Sequence, residues 1–84
     1  MKGFIQMSDC NIIIASDPEH DKVFAEIQFD NRFVALVSQE DGPGQLKVEL
    51  PGLGLDEACV LRIVPLGEFV TALEKAAEKL IAPP

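Results

Sequence analysis

Residues 23–37 read VFAEIQFDNRFVALV. Val23, Ala25, Ile27 and Phe29 alternate with Phe24, Glu26, Gln28 and Asp30. A period of two puts the first set on one face of an extended strand and the wetter set on the other. Asp30-Asn31 follows, and Asn tolerates positive φ, so the chain can reverse there through a two-residue turn or a longer loop. Phe33–Val37 returns as the next strand, apolar at every position. That is the composition of a strand with two apolar faces. A hairpin is therefore the organising unit of the fold.

Downstream, Leu46, Val48 and Leu50 alternate with Lys47 and Glu49, and Pro51-Gly52 ends the run. This is a further half-buried strand. The stretch SQEDGPGQ, residues 38–45, joins it to Phe33–Val37. Gly42, Pro43 and Gly44 supply the free or fixed φ that a reversal needs, so the stretch reads as a hairpin connection. It lacks the alternating oxygen ligands of a calcium loop, and no lysine or helix follows to make a phosphate cradle. Residues 59–64, CVLRIV, read as another strand. Phe4–Met7 and Asn11–Ala15 read as a hairpin about Ser8-Asp9 or as one long bulged strand.

The C-terminal segment changes period. Leu66, Phe69, Val70, Leu73, Ala76, Ala77, Leu80 and Ile81 follow the three-and-four spacing of one helix face. Pro65 suits the entry, Glu68 lies near the start, Lys75 and Lys79 near the end, and Pro83-Pro84 closes it. Strands with no helices between them pair mainly antiparallel. The expectation is an α+β fold: one domain over residues 1–84, a mainly antiparallel sheet of five or six strands over about residues 3–64, and one C-terminal helix over about 66–81.

One helix covers one face of a sheet, yet residues 12–15, 33–37 and 58–61 are apolar throughout. Three arrangements would shelter the second face: a sheet curled on itself with Leu53 and Leu55 folded over part of it, two chains paired face to face, or a docked partner.

Charge narrows the partners. The net charge is −7, against nucleic acid and anionic membranes and in favour of a basic protein. Between residues 9 and 57 there are eleven acids and three bases, so the excess sits on strands and loops. Glu40 and Asp41 in the loop, then Asp17, Glu19 and Asp21 in SDPEHDK, are the candidate partner-binding residues.

Cys10 and Cys59 lie in apolar stretches and read as buried free thiols, with a disulfide between strands left open. With one histidine, His20, and no C-x-x-C, no metal or other cofactor is expected. His20 reads as an exposed side chain whose acidic neighbours would favour its charged form. No nucleophile, base and orienter come together in the sequence, so a non-catalytic protein is expected. Polar residues interrupt the start of the chain and no long apolar run occurs, which points to the cytoplasm.

EIQFDNRFVALVSQEDG (26–42), LKVELPG (46–52) and the closing Glu68, Phe69 and Leu73 resemble the immunity protein 10 family, small bacterial immunity proteins of polymorphic-toxin systems. The resemblance implies a cytoplasmic, non-catalytic protein that binds and blocks a cognate toxin, with no residue roles to carry over. A basic toxin such as a nuclease would suit the acidic loops. The alternative is a homodimeric structural or regulatory module with no toxin partner.

Overall fold

In a computed structural model of the chain, the structure describes residues 10–81. Four strands form one antiparallel meander: β1 (Cys10–Ala15), β2 (Phe24–Phe29), β3 (Arg32–Ser38) and β4 (Lys47–Glu49), in the order β1-β2-β3-β4. A single helix, α1 (Leu66–Ile81), packs mainly over β1 and β2 and less over β3. The fold is α+β, as the sequence predicts.

The strand number differs from the expectation of five or six. The Phe4–Met7 strand lies outside the described residues. CVLRIV does not form a strand. Instead, the Asp56 side chain accepts from the Ala58 N–H and caps a 3-10 turn at Glu57–Cys59. Only Val60 then bridges to Phe33, in parallel, with Leu61 N–H donating to the Phe33 carbonyl at 2.9 Å. The outer edge of β3 explains this brevity. Residues 36–38 are paired with β4, so only the Phe33 end is open to the returning chain, and Pro65 follows soon after to start α1.

The β2–β3 reversal takes the shorter of the two options. Asp30 and Asn31 have φ of 53° and 66°, the two positive values of a type I′ turn, whose twist matches that of the strands. Past the turn the register shifts: Ile27 faces Ala35, but Gln28 faces Phe33. Val34 is the extra residue of a bulge. The bulge accounts for the unbroken FVALV run. Val34, Ala35 and Val37 all join the core under the helix, while Leu36, paired between Glu26 and Glu49, lies on the opposite face.

The core is Ala25, Ile27, Phe29, Val34, Ala35, Val37, Ala72 and Ala76. Ala72 and Ala76 are its only helical members, one turn apart, and are 1% and 0% exposed. Their small side chains let the helix backbone approach the sheet where Ile27 and Phe29 stand up. Phe69, Leu73 and Leu80 pack along the flanks. Pro65 sits just before the first turn, and its carbonyl accepts the Phe69 N–H.

A close seam of this kind is intolerant of volume change. Ile27→Ala is expected to cost about 2–5 kcal/mol and Ala76→Leu about 1–3 kcal/mol by overpacking. Denaturant midpoints with an unchanged slope would show both. A neutral Ala76→Leu would mean that the helix does not press on β2 there.

Candidate functional site

The connection between β1 and β2 folds back over the face opposite α1. His20 is its anchor. The ring stacks against Phe24 with centroids 4.7 Å apart. Nδ1 lies 2.7 Å from Asp17 Oδ1, and Nε2 lies 3.0 Å from Glu49 Oε2 on β4. Both ring nitrogens therefore face carboxylate oxygens, and only the imidazolium can donate from both. The Asp17 and Glu49 contacts push the His20 pKa up to about 9, with burial of the ring opposing them. His20 is 10% exposed, not the free surface side chain that its polar neighbours predict. Glu49 is two strands from Phe24, so the contact carries the loop across β3, and Phe24, Leu36 and Ser38 are buried there.

Glu40 completes the closure. Its Oε1 accepts the Asp21 N–H at 2.8 Å and its Oε2 the Lys22 N–H at 2.9 Å. These two bonds hold its carboxyl below the usual range. The Gln39 side-chain amide donates to the Val23 carbonyl, and turns at Gln39–Gly42 and Gly42–Gln45 form the bend, with Gly42 at φ 99°. Asp41 pairs with Lys47, which lowers its pKa.

The structure thus brings the acids singled out in the sequence to one end of the sheet and divides their work. Asp17 and Glu40 are ligands of the fold, Asp41 is half of an exposed ion pair, and the Glu19 and Asp21 side chains are exposed and make no hydrogen bond or ion pair among the described residues. Glu49 was not legible as the partner of His20, nor Lys47 as that of Asp41. They look like the wet side of a strand, and only the β4 register sets them beside the two loops.

Beyond that closed end, the second face is polar rather than bare, since Gln28 donates to Glu26 and both are half-buried. The most exposed apolar side chains lie elsewhere. Leu50, Leu53, Leu55, Ile63 and Leu66 are 70%, 93%, 47%, 89% and 76% exposed. Leu53 and Leu55 do not fold over the sheet. A half-open groove of about 250 Å³ runs between the end of β4 and the start of α1, lined by Val34, Leu50, Pro51, Leu61, Arg62, Val64 and Phe69. Arg62 braces its wall. Its guanidinium donates to both Glu57 carboxylate oxygens at 2.8 Å and to the Pro51 and Gly52 carbonyls. Leu53 and Leu55 follow Pro51 in the chain, and Ile63 and Leu66 bracket Val64. The groove was missed because PGLGL and CVLRIV read as turn and strand. The one available signal was Arg62, a charge inside an otherwise apolar run.

The cysteines correct a further expectation. Cys10 and Cys59 are both free and exposed, because β1 is an edge strand of the described sheet and Cys59 ends a surface turn. Partial desolvation of the Cys10 thiol still raises its pKa, so it is not activated. Among the described residues no group of acids, cysteines and histidine is arranged to hold a metal ion, and no helix is long and apolar enough to cross a membrane. Comparisons of the chain with family models, with curated proteins and with solved structures give no match.

The His20 contacts fix a pH dependence. A pKa raised from 6.5 to about 9 stabilises the fold fully below pH 6.5, and this is lost as pH rises through about 9. Asp17 and Glu40 are depressed, so they stabilise above their ordinary values and lose that effect as pH falls through the folded ones. Thermal melts should show wild-type Tm falling between pH 6.5 and 9, with a shallower fall for His20→Gln and in high salt, since the Asp17 and Glu49 side chains are partly exposed. Equal slopes in both proteins would reject the imidazolium bridge. Glu40→Gln leaves one acceptor oxygen for two donors, so hydrogen exchange at the Asp21 and Lys22 amides should quicken while β2 and β3 stay protected.

Proposed function

We propose that this chain is a non-catalytic binding protein that neutralises a bacterial toxin in the cytoplasm, docking through the groove and the leucines beside it. The observation that carries the reading is a half-open apolar groove lined by Val34, Leu50, Leu61, Val64 and Phe69 and braced by Arg62, with Leu53, Leu55, Ile63 and Leu66 exposed in the chain segments that adjoin its lining. An apolar centre bordered by charge is the anatomy of a protein–protein hot spot, where a few buried anchors dominate affinity. Asp56, Glu57 and Glu68 in the same segment, with Arg62 already engaged by Glu57, leave its surroundings acidic.

A net charge of −7 suits a cationic partner and speeds encounter with it. A nuclease toxin, whose surface must hold phosphates, has that character. Glu19 and Asp21, which the fold leaves in solvent, would steer the approach, while Asp17 and Glu40 keep the loop beneath them in shape. The resemblance of residues 26–42 and 46–52, with Glu68, Phe69 and Leu73, to the immunity protein 10 family points the same way.

Coexpression with the toxin domain encoded beside its own gene is the test. The chain is expected to restore growth and to form a complex with that domain. Leu53→Asp combined with Ile63→Asp touches only exposed side chains and should weaken the complex by about tenfold or more without altering the melt. A neighbouring gene with no toxic domain, or toxicity that the chain leaves unchanged, would overturn the reading.

A further inference from the structure

The two edges of the described sheet are built differently. β4 is three residues long, carries Lys47 and Glu49, and runs into Leu50-Pro51. Shortness, charge and a nearby proline are devices that keep foreign strands from adding to an edge. β1 has none of them. Its six residues, CNIIIA, include no charge, proline or glycine. Ile13 and Ile14, on opposite faces, are 42% and 44% exposed. One side of β1 is bonded to β2 along its whole length, and among the described residues its outer backbone groups have no strand partner.

We propose that β1 pairs with β1 of a second copy of this chain, antiparallel about a two-fold axis normal to the sheet. Charge selects that occupant. Two chains of net charge −7 repel, so self-association needs a contact that brings no acids together. β1 is the one described strand or helix without a charged residue. The helix flank beside it carries both signs: Cys10, Glu68, Thr71 and Lys75 lie round one shallow cavity of about 220 Å³. A two-fold axis runs the two helices antiparallel on the same side of the joined sheet, which turns the Glu68 end of each toward the Lys75 end of the other. Such a contact is isologous and closes at two chains. The groove lies at the β4 end of the sheet, so a dimer leaves both grooves free. The inference thus stands independently of the toxin reading.

Light scattering during size exclusion should give twice the 9.1 kDa chain mass. Ile13→Lys, a charge on the exposed edge, should return it to one chain mass with an unchanged circular dichroism spectrum. Exchange in the wild-type protein supplies a readout that needs no variant. Outward-facing β1 amides should gain protection as concentration rises, while β2 and β3 amides stay constant. A single-chain mass at every concentration overturns the proposal, and so does β1 protection that ignores concentration, which would mean that the chain covers this edge itself. A dimer whose mass survives Ile13→Lys overturns it as well, because another surface would then hold the copies together.

Discussion

The width of one helix sets the terms for the rest of this structure. An α-helix with its side chains is about 10–12 Å across, while neighbouring strands stand about 4.8 Å apart. One helix therefore shelters about two strands, and this sheet has four. Helix α1 lies over β1 and β2, where Ala72 and Ala76 let it come close. The β3–β4 side of the same face must be covered by something else. The chain answers with irregular structure. Val60 bridges to Phe33 and is itself buried, Leu61 and Val64 line the space beside α1, and the remainder is a groove rather than a packed core.

The opposite face is sheltered without a second layer. The loop after β1 is drawn across the sheet by an imidazolium held between two carboxylates and tied to the next loop by the two oxygens of Glu40. The acids in this region thus divide between holding and reaching. Those that accept backbone N–H or imidazolium protons are part of the fold, and those left in solvent give it its field. A polar staple can substitute for apolar layering here because each participating group has a partner, and among the described residues no buried side-chain nitrogen or oxygen is left unpaired.

The two exposed apolar regions then lie at opposite edges of one sheet, and they differ in kind. The region near β4 is concave, braced by Arg62 and bordered by acids, which suits a different and cationic protein. The β1 edge is uncharged and its pairing with β2 runs without a register shift, which suits a strand from an identical acidic chain. A small domain with a thin core leaves such surfaces because it has too little chain to bury them all.

Local periodicity accounts for much of the fold before any tertiary contact is considered. The two-residue period of Val23–Phe29 and the three-and-four spacing of Leu66–Ile81 are consequences of backbone geometry, and Asp30-Asn31 carries its turn preference in its own side chains. The acidic character and the cluster of acids near the two loops were equally legible, because charge is a property of composition. Tertiary contacts settle which acids bind inward, that His20 is sheltered and charged, and that FVALV carries a bulge, which sends Val34, Ala35 and Val37 to the helix side and leaves Leu36 as the apolar residue of the other face. They also settle that CVLRIV gives a capped turn and a single bridge, because β4 already occupies part of the β3 edge. Each of these rests on contacts between segments far apart in the chain, such as His20 with Glu49 or Asp21 with Glu40. Register across a sheet, not the order of residues along a strand, brings such groups within reach of one another.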